Sequence, residues 1–116
     1  MTYRLINRDR NAVIAARVLR ANGFWARTIG LLGRRSLQPD EGLWINPCNG
    51  FHTFGMRFPI DVIVLDGNMR VIHIIHALLP LRITRPVKGG RSVVELAAWT
   101  AGSIEVGDRL EFELSE

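Results

Sequence analysis

Apolar residues along this chain come in short runs broken by turn residues, the pattern of strands rather than of long helices. Tyr3–Ile6 and Asn11–Leu19 flank the polar Asn7-Arg8-Asp9-Arg10, which predicts a first hairpin, although the Ala-rich second run also suits a helix. Gln38-Pro39-Asp40-Glu41-Gly42 reads as a turn before the short strand Leu43-Trp44-Ile45. Asp66-Gly67-Asn68 divides a run ending at Leu65 from another over Met69–Ile75; this predicts a hairpin closed by a tight primed turn in which Gly takes positive φ. Lys88-Gly89-Gly90-Arg91 is a further turn before a strand at Ser92–Ala98, and Val106-Gly107-Asp108 leads into a last strand, Arg109–Leu114. One segment has helical spacing: Trp25, Ile29 and Leu32 recur within Phe24–Leu32, with Asn22 as N-cap, Gly33 as stop, and Arg34 and Arg35 at the negative end of the helix dipole. The predicted architecture is mainly β, a compact sandwich or barrel with one short helix closing an end.

Within that pattern the run from Phe51 to Asp66 places a His and an Asp among apolar residues. If Arg57–Leu65 is one strand, Asp61 shares a face with Ile63 and Leu65, opposite Ile60, Val62 and Val64. Both faces are apolar, so Asp61 is expected to be buried. An unpartnered buried carboxylate costs several kcal/mol, so the residue is either tied down by structure or held for a function. Glu95 poses the same question, sharing a face with Val93 and Ala97. The two acids suit a general acid/base pair if they are close, or separate anchors for an Arg such as Arg57, Arg82 or Arg85; ion pairs are the commoner outcome.

At 116 residues and 13.1 kDa, 47% of them hydrophobic, the chain is expected to form one domain, residues 1–116, around one core. The formal net charge is +4, unevenly spread. Up to Arg35 only Asp9 is acidic, against Arg4, Arg8, Arg10, Arg17, Arg20, Arg27, Arg34 and Arg35; from Glu105 onward five acids face Arg109 alone. Mutual neutralisation of the two ends is the simpler explanation, a phosphate-binding surface the sharper one. Cys48 is the single cysteine, which excludes an intrachain disulfide. The N-terminus shows no apolar segment after its charges, and no apolar run approaches the ~20 residues of a membrane span. A cytoplasmic location is expected.

Pro47-Cys48, the stretch His52-Thr53-Phe54-Gly55-Met56-Arg57-Phe58-Pro59-Ile60-Asp61, the hairpin at Leu65-Asp66, Val94-Glu95-Leu96 and Val106-Gly107-Asp108 form an ordered set over roughly residues 30–112. Together they resemble an uncharacterised bacterial and archaeal family, domain of unknown function 192. The resemblance implies a small, mainly β fold like a jelly-roll sandwich and no established activity. Such proteins usually carry Pro-Ala-Gly after the Glu-Leu pair, where Ala97-Ala98-Trp99 stands here. The fold expectation is unaffected by this departure; the loop geometry near Thr100 is not carried over.

Cys48 and His52, four apart, suit a thiolate with its base or half of a metal site, but further ligands would have to converge from His73, His76, Asp61 or Glu95. A buried, apolar-like Cys48 is the default, and neither metal nor cofactor is predicted. His52 at a strand entrance has backbone hydrogen bonding as its ordinary role. His73 and His76 lie three apart and are expected on opposite faces, at least one exposed. Asp108 reads as a turn residue capping backbone donors, and Lys88-Gly89-Gly90 lacks the spacing of a phosphate loop. The function favoured is a binding module with a pocket lined by His52, Phe54, Met56 and Trp44, taking a small molecule, sugar or peptide, with Asp61, Glu95 and Cys48 as further candidate residues. The alternative is a small hydrolase-like enzyme using His52 or Asp61 as base and Cys48 or water as nucleophile. A nucleic-acid or anionic-surface binder ranks lowest, because no aromatics interleave Arg4, Arg8, Arg10, Arg17 and Arg20. A scaffold for a protein partner is also compatible with the sequence.

Overall fold

Residues 2–21, 37–47, 58–79 and 85–115 are described in the computed structural model. They contain seven strands: β1 (Thr2–Asn7), β2 (Ala12–Ala21), β3 (Glu41–Ile45), β4 (Ile60–Leu65), β5 (Val71–Leu78), β6 (Ser92–Ala97) and β7 (Leu110–Leu114). All belong to one sheet in the order β5-β4-β6-β3-β2-β1-β7. Every neighbouring pair is antiparallel except β2 and β3, which run parallel from Arg17↔Glu41 to Ala21↔Ile45. Parallel neighbours need a long crossover, and residues 22–40 supply its length. The predicted helix at 24–32 falls outside the described residues, among which no helix occurs.

The sheet is strongly curled. Trp44 on β3 and Phe112 on β7 are three strand positions apart, about 14 Å along a flat sheet, yet their rings stack at 3.8 Å and 7°. Tyr3 on β1 meets both edge-on, at 5.7 Å and 6.4 Å. The edges also meet at one end: Arg70 and Arg109 form an antiparallel bridge, Val71 N–H donates to Asp108 O at 2.8 Å, and Leu110 N–H donates to Met69 O at 2.9 Å. The result is a half-barrel closed at that seam. The described strands form this single curled sheet, nearer to the barrel than to the two facing sheets of a jelly-roll sandwich.

The curl divides the core. Leu5, Val18, Trp44, Ile63, Leu65, Val71, Val94, Leu96 and Leu110 fill the inside, one or more from each strand, with Ala101 and Ile104 from the loop after β6. A second cluster, Leu43, Ile45, Ile60, Val62, Val64, Val93 and Ala97 with Leu37, lies on the other face of β3, β4 and β6. The central strands are thus buried on both faces, which explains their unbroken apolar runs. On β4 the inward residues are Ile63 and Leu65 and the outward ones Ile60, Val62 and Val64, as the period of two predicts.

Local elements follow the sequence, with one turn differing from its expected form. The Ala-rich run at 12–21 is a strand, paired antiparallel with β1. The β4–β5 hairpin forms, but its turn is wider than expected. Asp66 N–H donates to Arg70 O at 3.0 Å, and Met69, at φ 63°, takes the left-handed position expected of Gly. Asp66 Oδ1 stabilises this turn by accepting the N–H groups of Asn68 (2.8 Å) and Arg70 (3.0 Å).

Candidate functional site

Asp61 is fully buried on the inner side of β4. Its register partner on β6 is Leu96; on β5 the pairing jumps from Val62↔Ile75 to Ile60↔Leu78, which leaves an extra residue opposite it. That irregularity is a β-bulge at His76-Ala77, with Ala77 left-handed at φ 50°. The bulge frees the Ala77 N–H from the ladder, and it donates to Asp61 Oδ1 at 2.8 Å. Asp61 Oδ2 accepts the Ala101 N–H at 2.9 Å from the loop after β6. One carboxylate therefore fastens β4 to a strand irregularity and to a loop. His76 Nδ1 lies 3.5 Å from Oδ2, its ring stacked on Trp99 at 5.9 Å and 9°. Trp99 is 70% exposed and left-handed at φ 70°, a costly backbone state for a bulky residue.

Glu95 is equally buried but lies elsewhere. Its partners in register are Val62 and Leu43, which places it on the outer face, while Asp61 is inside. The sheet itself separates the two acids, so they cannot share a proton as a general acid/base pair. His73, opposite Val64, is on the outer face, and His76 is beside Asp61; both are exposed. Among the described residues no three His, Cys, Asp or Glu side chains converge on a metal-sized site. Cys48, His52, Phe54 and Met56 lie outside the described residues, as do Arg57 and Arg82.

The charge asymmetry of the sequence is resolved by β1 pairing with β7. Arg4 pairs with Glu113, Arg8 with Glu111, Arg10 with Glu105 and, at 2.9 Å, with Asp108; Arg17 holds Asp40 at 3.0 Å. Asp108 is the buried member of this set. Burial pushes its carboxyl up, but the Asn7 amide (2.8 Å), the Glu105 N–H (2.9 Å) and the Arg10 guanidinium outweigh that and hold it below the usual carboxylate range. Its capping role was legible in the sequence; the recruitment of Asn7 and Arg10 was not.

A concave site opens at the seam. A cavity of about 330 Å³ is bordered by Trp44, Met69, Leu110, Glu111 and Phe112, and a second of about 500 Å³ by Gly67 and Arg70; Asn68, Met69 and Arg109 line both. Trp44 is 9% exposed, and its buried Nε1–H has no acceptor among the described residues. The Arg20 guanidinium lies 5.1 Å from the Trp44 ring centroid. Of the residues expected to line a pocket, Trp44 does so. Phe112, Met69 and Arg109 were not anticipated, since only the curl brings β7 and the β4–β5 turn beside β3.

The comparisons agree with this architecture. No curated protein matches the chain significantly. A crystal structure of a protein of unknown function from Novosphingobium aromaticivorans aligns with a TM-score of 0.79 at 24% identity, covering 96% of this chain and 84% of that one. A Sinorhizobium meliloti protein, described as a proposed transcription regulator, aligns with a TM-score of 0.77 at 25% identity, covering 95% and 91%. The model of the uncharacterised DUF192 family (Uncharacterized ACR) matches residues 5–112, and the chain belongs to that family.

Proposed function

We propose that the chain is a small-ligand-binding module whose site is the cavity bordered by Trp44, Met69 and Phe112. The observation that carries this is the cavity itself, about 330 Å³ of concave space bordered by the stacked Trp44 and Phe112 rings and Met69, with Asn68, Arg109 and Glu111 as its polar lining. Aromatic walls with a few fixed polar groups are the usual make-up of small-molecule sites. Titration with a panel of small aromatic compounds, neutral and anionic, followed by backbone-amide NMR, should perturb Asn68, Met69, Leu110 and Phe112. If no member of the panel moves those amides, the proposal fails.

A second reading, a small hydrolase-like enzyme, is favoured by the 3.5 Å approach of His76 to Asp61. Water would be its nucleophile, and any turnover should vanish in His76→Gln. A nucleic-acid partner ranks last. The description of the Sinorhizobium protein speaks for it, but Arg4, Arg8, Arg10 and Arg17 are engaged by acids. A single domain spanning 1–116 remains part of the proposal, supported by one sheet that uses strands from Thr2 to Leu114. A cytoplasmic location is part of it too. No helix among the described residues is long and apolar enough to cross a membrane.

A further inference from the structure

Arg70 and Arg109 differ from Arg4, Arg8, Arg10 and Arg17. Their antiparallel bridge pairs two like-charged residues in register at the closed end of the sheet, where a bound anion would relieve their mutual repulsion. Neither forms an ion pair among the described residues, whereas Arg4, Arg8, Arg10 and Arg17 all do. Three carboxylates lie near them, and none forms an ion pair with either guanidinium among the described residues: Asp66 accepts the Asn68 and Arg70 N–H groups, Asp9 accepts the Arg109 N–H at 3.1 Å, and Glu111 is held by Arg8. Arg109 still acts on Glu111, adding slightly to the pull of Arg8 that keeps this carboxyl below its usual range. The Arg70 guanidinium donates to Gly107 O at 3.1 Å, which fixes its direction before any ligand arrives. Both arginines line the wider cavity, and Arg109 also lines the aromatic one.

We propose that Arg70 and Arg109 together bind the oxyanion end, a carboxylate or a phosphate, of a small ligand whose flat apolar body lies against Trp44, Met69 and Phe112. This rests on the ligand-binding reading of the same cavity. A guanidinium offers paired donors in a plane that matches the oxygens of either anion, and two of them side by side suit a group with several oxygens. The apolar body is then directed toward the stacked rings.

The test compares benzoate, phenyl phosphate and the neutral benzamide, each titrated against wild type, Arg70→Gln and Arg109→Gln by amide NMR. Equal unfolding midpoints of the three proteins establish that they are comparably folded. Both anions are expected to bind roughly tenfold or more tightly than benzamide, with affinity falling as salt rises, and each Gln variant to lose about that factor for the anions but much less for the uncharged benzamide. The stronger of the two anions identifies the head group. Equal binding of benzoate and benzamide, or undiminished anion binding by both variants, overturns the oxyanion assignment and leaves the cavity as a ligand site. If none of the three compounds moves the amides of Asn68–Arg70 or Arg109–Phe112, the oxyanion assignment is overturned together with the cavity reading.

Discussion

A carboxylate without solvent exposure persists at Asp61 because two backbone N–H groups point at it, from Ala77 and from Ala101. Neither donor belongs to the regular ladder, so removing the acceptor leaves both without their partner in an apolar interior. Asp61→Asn keeps the shape but turns one oxygen into an NH₂ donor facing a donor. Its unfolding free energy, measured by denaturant titration, should fall by about 2 kcal/mol or more. An unchanged or increased stability would show that the acid is dispensable to the fold, and His76 beside it would then become the focus of ligand and substrate screens. Burial of Asp61 could be read from its two apolar flanks. Its partners could not, because the Ala77 N–H is free only through a bulge that no residue pattern in Val71–Leu78 announces.

At the scale of elements, turn chemistry was the most legible part of the chain. Gly89 and Gly107 lie in turns the sequence located, with positive φ of 85° and 96°. In the β4–β5 hairpin the sequence placed the turn correctly but not its left-handed residue, since Asp66, rather than Gly67, organises the backbone there through its side chain. Close strand packing was not legible. Gly42 on β3 pairs with Leu96, and a Cβ at Gly42 would stand 2.7 Å from Leu96 Cδ2 and 3.0 Å from the Glu95 carbonyl oxygen. The carbonyl cannot yield without disturbing the β3–β6 ladder. Gly42→Ala should therefore destabilise by about 1–3 kcal/mol, against the gain a Gly→Ala change gives at an open site; a stabilised variant would contradict the packing described.

For the whole molecule, the pairing of β1 with β7 turns a lopsided charge distribution into facing rows of opposite sign. Asp40, Asp108 and Glu111 all titrate below their ordinary range: Arg17 acts first on Asp40 and Arg8 on Glu111, while at Asp108 burial is outweighed by Asn7, Glu105 N–H and Arg10. A carboxyl depressed in the folded state stabilises fully above its unfolded value of about 4, and loses that contribution as pH falls through the lower folded value. Stability should thus decline below about pH 4, and Asp108→Asn should flatten that decline while lowering stability at neutral pH. Unfolding midpoints of both proteins between neutral and acid pH check this; an unaltered slope would mean that Asp108 is not a contributor. The exposed pairs add little individually.

The sequence by itself determined the strand-rich class, most turn positions, the burial of Asp61 and the facing of β4, because period and turn residues act over a few neighbouring positions. It also carried the family resemblance that the family model bears out over residues 5–112. Only the tertiary structure decided that Asp61 and Glu95 are on opposite faces, that the Arg-rich start meets the acidic end, and that Trp44 stacks on Phe112. These depend on strand order and curl, and they join residues far apart in the chain whose separation in space no local pattern encodes. The seam cavity with Arg70 and Arg109 belongs to the same class: it exists because two sheet edges meet.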